Sequence, residues 1–262
     1  MLSGRTALLS GSVGGIGYAT AAALAAQGCN VMLNGFADPG EIEENRAALE
    51  TAHGVKARYH GADLRNLNEI EDLVAATERE LGPVDILVNN AVVRHFANVE
   101  DFKPEDWQTA LDVNLSAPFH LIRLTLGGMK QRGWGRIINL ASALGIIAMP
   151  GRVDYVVTKT ALMGMARAIA IETQQEPNIT VNAVCPGAVR TPAAEQRVAA
   201  LAQTKGISIE AATRAFLDGR QPSQRFIDPG QVGALIAFLC SEAAREITGT
   251  SIPIDDAWTI SP

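Results

Sequence analysis

Tyr155 and Lys159 stand four residues apart in a stretch with helical apolar spacing, so a helix places a phenol and an ammonium on one face. A free phenol, with a pKa near ~10, is almost wholly protonated at neutrality. An adjacent cation favours the phenolate and brings the group toward the range a general base needs. Ser142 follows an apolar run over 136–140 that reads as a strand. Its hydroxyl therefore projects from a strand's carboxyl end, where a hydrogen bond can hold a substrate oxygen. Taken singly, a Tyr/Lys pair is more simply an amphipathic helix surface, because such pairs contribute only about a few tenths of a kcal/mol.

A second group of residues suits a nucleotide. Gly11-Ser12-Val13-Gly14-Gly15-Ile16-Gly17 falls where a first apolar run ends and a helical pattern begins. Glycine there lets the backbone turn tightly and approach a pyrophosphate, and the first amides of the helix offer it partial positive charge. The alternative is a sterically required turn that binds nothing. The next strand ends in Asn34-Gly35-Phe36-Ala37-Asp38. An NADP site needs Arg or Lys near this position to neutralise the 2′-phosphate, and neither 12–15 nor 34–40 contains one, so NAD is the expected cofactor. Asp38 has two readings, a ribose contact or a turn former before Pro39. Asp63 also has two, an acceptor for the adenine amino group or the cap of the following helix.

The elements that must position these groups alternate along the chain. Runs 6–10, 30–33, 56–60, 86–89, 136–140, 180–184 and 249–254 read as strands, and 15–27, 42–53, 67–81, 104–132, 154–174 and 229–240 as helices. That rhythm specifies a doubly wound parallel sheet, and near-continuous apolar strands such as Asp85-Ile86-Leu87-Val88 fit a sheet covered on both faces. With 47% hydrophobic residues and no linker-like tract, the 262 residues read as one domain. Segment 190–227 breaks the rhythm after a strand's carboxyl end, which leaves a substrate lid or a plain surface excursion. A net charge of -6 without a cationic stripe argues against nucleic acid or an anionic membrane and for a small-molecule partner. Cys29, Cys185 and Cys240 lack disulfide or zinc spacing and read as packed free thiols. The N-terminal apolar run is too short for a signal peptide, so a cytoplasmic setting is expected.

These motifs in this order, together with Asn89-Asn90-Ala91, Asn114 and Pro186-Gly187, make the whole chain resemble the short-chain dehydrogenase/reductase family. The resemblance implies a Rossmann-like α/β fold, a seven-stranded parallel sheet in three α/β/α layers, and commonly a homotetramer, for which 104–132 and 154–174 are the candidate interface helices. It implies that Tyr155 is the acid/base, that Lys159 lowers its pKa and holds the nicotinamide ribose, that Ser142 orients the substrate oxygen, and that Asn114 anchors a water that relays protons to Lys159. It further implies cofactor contacts at Gly11, Gly15, Ile16, Gly17, Asp63, Leu64, Asn90, Tyr155, Lys159, Pro186, Gly187, Val189 and Thr191.

Within the family the chain is most similar to the bacterial D-3-hydroxybutyrate dehydrogenases, through Asn34-Gly35-Phe36, residues 60–64, 133–139, Gln196, 221–223 and 238–243. Phe36 then lies near the adenosine, which weakens the ribose reading of Asp38. Four positions depart from that subfamily: Arg94, Leu144, Arg152 and Ala188 stand where it has Gln, His, Lys and Trp, and Val92 replaces a loop glycine. Arg94 and Arg152, with Ser142, Tyr155 and Gln196, are the expected substrate contacts; a guanidinium meets an anion bidentately, so a different or bulkier anionic hydroxy acid is expected. Solvated arginines are the competing reading. The expected reaction is hydride transfer between a secondary alcohol and NAD. Its rivals are an NADPH-dependent ketoreductase of lipid or secondary metabolism and a non-catalytic nucleotide-binding scaffold.

Overall fold

Seven short apolar strands carry the molecule: β1 (Thr6–Leu9), β2 (Asn30–Asn34), β3 (Ala57–His60), β4 (Val84–Asn89), β5 (Gly135–Leu140), β6 (Ile179–Pro186) and β7 (Ser251–Ile254). In a computed structural model, which describes residues 2–261, they form one parallel sheet in the order β3-β2-β1-β4-β5-β6-β7. β1, β4, β5 and β6 are buried along their whole length, because helices cover both faces. One core cluster joins Leu8, Leu87, Ile137 and Val181 to the helices of one face; the other joins Leu9, Val88, Ile138 and Val184 to those of the opposite face. This is the three-layer doubly wound arrangement that the alternating runs specify. Each strand lies within a few residues of its sequence-based bounds.

The helices are α1 (Gly15–Ala25), α2 (Pro39–His53), α3 (Leu67–Leu81), α4 (Pro104–Leu111), α5 (Ala117–Arg132), α6 (Val153–Glu172), α7 (Pro192–Lys205), α8 (Ile209–Leu217) and α9 (Pro229–Cys240). α2 starts three residues earlier than its apolar pattern, because Pro39 occupies the first turn and the Asp38 carboxylate accepts from the Gly40 amide. Asp38 is thus engaged as a helix cap. Asn66 caps α3, which leaves Asp63 free of the capping role. The stretch 104–132 is not one regular helix: a π-helical turn, Asp112–Ser116, separates α4 from α5. Such turns widen a helix locally and often sit at functional positions.

β1 and β4 mark the point where strand order reverses, which opens a crevice at the carboxyl edge of the sheet. Segment 190–227 contains α7 and α8 and returns to its point of departure, where the Arg190 amide donates to the Ile227 carbonyl and the Ile227 amide to the Ala188 carbonyl. Its apolar side chains form a separate small cluster, Val198, Ala202 and Ala212 with Leu201, Phe216 and Phe226. Cys29, Cys185 and Cys240 are buried free thiols. No helix among the described residues is long and apolar enough to cross a membrane.

Candidate active site

The glycine turn closes around β1 for steric reasons that no larger residue meets. Gly11 has φ +60°, and a Cβ there would lie 2.6 Å from the Ala91 Cα; one on Gly17 would lie 2.4 Å from the Gly11 carbonyl oxygen. Asn90 Nδ2 donates to the Ser10 and Gly11 carbonyls, stitching the end of β4 to that of β1. Asn34 fixes the other flank: its Nδ2 donates to the His60 and Ala62 carbonyls, and its Oδ1 accepts from the Gly11 amide. The N-terminus of α1 begins at Gly14 without any side-chain cap, whereas α2, α3 and α9 are capped by Asp38, Asn66 and Asp228. First-turn amides left without a side-chain acceptor, above a backbone held bare by glycine, suit a pyrophosphate.

A cavity of about 320 Å³ lies at the crevice, lined by Ile16, Asn90, Ser142, Tyr155, Lys159, Pro186, Gly187, Val189 and Thr191 of the expected residues. Thr191 caps α7, and its Cγ2 faces Gly15, where an added Cβ would lie 3.5 Å away, so the slot beside the glycine turn is narrow. Leu64 is buried beyond this cavity, and Phe36 is 70% exposed at the end of β2. The Asp63 carboxylate is held by Arg65, whose hydrogen bonds draw it below its ordinary value. Gln196 is exposed on α7 and does not line the cavity; its neighbour Arg197 does.

Ser142, Tyr155 and Lys159 converge, all buried. Ser142 Oγ accepts from the Leu144 amide, which fixes the hydroxyl in the turn after β5. Lys159 Nζ is 5.6 Å from the Tyr155 ring centroid and donates to the Leu140 carbonyl. Burial pushes the Tyr155 phenol up, but the charges of Arg94 and Lys159, with hydrogen bonds from Ser142 and Arg94, outweigh it and hold the phenol at about 8. Burial draws the Lys159 ammonium down to about 8, against the pull of Tyr155. A phenol of that acidity can accept and return a proton near neutrality.

Asn114 does not face the cavity. Its Oδ1 accepts from the Val93 amide and its Nδ2 donates to the Val93 carbonyl, so the side chain clamps the loop that carries Val92 and Arg94. His95 Nδ1 lies 3.1 Å from a carboxylate oxygen of the fully buried Asp154, and the same oxygen accepts from the His95 amide. The loop is thereby tied to both the π turn and α6. Arg152 is stacked between Phe96 and Tyr155, 4.2 and 4.6 Å from their ring centroids, and Arg94 lies 5.4 Å from that of Tyr155. Arg197, Arg220, Phe216 and Trp258 complete the wall, and none of these four was singled out by sequence. Arg197 is a charged residue beside the apolar stripe Ala194, Val198 and Ala202 of α7, and Arg220 lies in a polar stretch beyond α8, so neither is marked as inward by its residue type.

A bare glycine turn at the switch point of a parallel sheet, facing a buried tyrosine and lysine across one cavity, defines a nicotinamide-dependent oxidoreductase. The chain belongs to the short-chain dehydrogenase/reductase family. A family model described as Enoyl-(Acyl carrier protein) reductase matches residues 11–259. The chain is similar to the D-beta-hydroxybutyrate dehydrogenase of Cupriavidus necator, 45% identical over 258 residues and covering 98% of this chain and 99% of that protein. The enzyme of the same name from Rhizobium meliloti is 40% identical over 255 residues, 97% of this chain and 98% of that one. Among solved structures, L-sorbose reductase from Gluconobacter frateurii, complexed with NADPH and L-sorbose, superposes with a TM-score of 0.94 at 28% identity, over 99% of this chain and 98% of the other.

Proposed function

We propose that the protein is an NAD-dependent dehydrogenase that oxidises the secondary hydroxyl of an anionic hydroxy acid, and catalyses the reverse reduction. The observation that carries this reading is the buried Tyr155 held at about 8 beside Lys159, with Arg94 and Arg152 against its ring. Phenolate Tyr155 takes the hydroxyl proton, and Ser142 holds the same oxygen by hydrogen bonding. Lys159 stabilises the phenolate by its charge. When bound, nicotinamide would supply the hydride acceptor for the alcohol carbon, whose oxygen gives its proton to Tyr155, so that a ketone results. Asn114 acts through the 92–95 loop that it clamps.

The glycine turn, Phe36, Leu64 and Asn90 are assigned to the adenosine and pyrophosphate side, and Pro186, Gly187, Val189 and Thr191 to the nicotinamide side. Preference for NAD is supported by the absence of Arg and Lys from 12–15 and 34–40 and by the exposed, uncharged Phe36 at the end of β2. The competing NADPH reading draws on the NADPH in the L-sorbose reductase complex. The names of the hydroxybutyrate dehydrogenase relatives support a hydroxy acid, and segment 190–227, with its own cluster and narrow neck, is assigned as a substrate lid. Exposed Phe119 on α5 and Val157 and Ile171 on α6 support assembly as a homotetramer, and the free cysteines support a cytoplasmic setting.

The test is steady-state oxidation of hydroxy acids and neutral secondary alcohols with NAD and NADP at matched concentration. The expected result is turnover of an acid with NAD. Equal or better turnover with NADP, or neutral alcohols outperforming every acid, overturns the corresponding half of the assignment.

A further inference from the structure

Four guanidiniums line a single cavity. Arg94 and Arg152 lie against the Tyr155 ring, whereas Arg197 from α7 and Arg220, just beyond α8, flank Phe216 at 5.4 and 4.6 Å from its centroid. Lys159 adds a fifth cation, and no Asp or Glu lines the space. Among the described residues none of the four arginines has a carboxylate partner within 4.0 Å. Arg152 is only 8% exposed, and its Nε has no hydrogen-bond partner.

Arg152 is buried and Arg94, Arg197 and Arg220 are half-buried; charge drawn out of water without a partner costs stability, and like charges gathered together cost more. Arg197 shows this: burial, and then the charges of Arg94, Arg152 and Arg220, draw its pKa down to about 10. Within the fold Arg197 Nε donates to the Ala193 carbonyl and Arg220 Nη1 to the Phe216 carbonyl, contacts that orient the two guanidiniums without neutralising them. One carboxylate has two oxygens and is saturated by one bidentate guanidinium and a second neighbour. It would leave the other pair uncompensated.

Resting on the hydroxy-acid reading above, we propose that the substrate carries two anionic groups. Arg94 and Arg152 take one beside Tyr155, and Arg197 and Arg220 take the other on the 190–227 wall. Phe216 holds the second pair apart as a unit, because both guanidiniums lie over its ring and Phe226 packs against it at 5.6 Å between centroids. The cavity of about 320 Å³ also takes in the slot assigned to the nicotinamide, so the space beside Tyr155 and Phe216 suits only a short hydroxy diacid or a small phosphorylated hydroxy acid.

Binding tests this without turnover. Calorimetric titration of the NAD-loaded enzyme with butyrate, glutarate, adipate and 4-phosphonobutyrate is expected to show at least one dianion binding about tenfold or more tighter than butyrate. Tighter binding of the phosphonate than of the diacids assigns the second group as phosphoryl, and the reverse order assigns it as carboxylate. Arg197→Gln combined with Arg220→Gln is expected to bring the dianion-to-butyrate ratio to about one, with a melting temperature no lower than that of the native enzyme as the control for folding. Butyrate binding as tightly as every dianion, or a ratio that survives the double substitution, overturns the proposal. Turnover of 3-hydroxyglutarate and 3-hydroxybutyrate with NAD is measured separately, so failure of hydride transfer is read apart from failure of dianion recognition.

Discussion

The two walls of the crevice are built differently. Ser142, Tyr155 and Lys159 hang from β5 and α6, whose buried residues belong to the main clusters on either side of the sheet. Their polar atoms are fixed by near neighbours: the Leu144 amide, the Leu140 carbonyl and each other. The facing wall, α7 and α8, rests on a small cluster of its own and joins the sheet through the Val189 and Ile227 bridge. Its arginines stack on an aromatic ring and pair with no acid. Rigid placement suits proton transfer, where sub-ångström geometry decides rate. A separately packed wall can change its charges, or move, without disturbing that geometry.

The sharpest way to break this division is to remove the phenol. Tyr155→Phe is expected to lower kcat by about a thousandfold while NAD affinity, measured by fluorescence titration, stays at the wild-type value. A comparable kcat loss from any change in α7 or α8 would erase the distinction between the walls. Next in size is Gly11→Ala, which forces a Cβ against the Ala91 backbone at positive φ. It is expected to cost about 2–4 kcal/mol in urea unfolding and to weaken NAD binding. Smallest is Phe216→Ala. The ring is half-buried in the lesser cluster, so a loss of about 1–2 kcal/mol is expected, with KM for the acid rising several-fold and kcat held within about twofold. An equal fall in kcat would place the wall in the chemistry.

Sequence made one of these walls far more legible than the other. The seven strands and the glycine turn follow from period and spacing, because local pattern and final position coincide there, whereas the Tyr155/Lys159 pair stands out from an ordinary helix surface only through the family resemblance. The π turn at Asp112–Ser116 does not: nothing in Asp-Val-Asn-Leu-Ser departs from helical pattern, and the clamp from Asn114 to Val93 is a tertiary contact. Likeness of sequence pointed to Gln196, but the side chain directed inward is that of Arg197, one position on around the helix. Arg220 lies past the end of α8, where no periodicity applies, and its direction is set by the Phe216 ring and by the hydrogen bond from its Nη1 to the Phe216 carbonyl. Asp38 and Asp63 were ambiguous because acids serve caps, ion pairs and ligands alike; Asp38 went to the cap and Asp63 to Arg65.

The electrostatic claim at Tyr155 is tested most directly by the pH dependence of kcat/KM for hydroxy-acid oxidation with NAD, compared between the native enzyme and Arg94→Gln. Phenolate is the active base for oxidation, so activity is expected to rise with pH through a midpoint at about 8. Reduction, which needs the neutral phenol as donor, falls over the same range. Removing the Arg94 charge leaves burial less opposed, and the midpoint is expected to move upward, toward the ordinary phenol value of about 10. A midpoint unmoved by the substitution, or oxidation that slows as pH rises through 8, contradicts a proton acceptor tuned by Arg94 and Lys159.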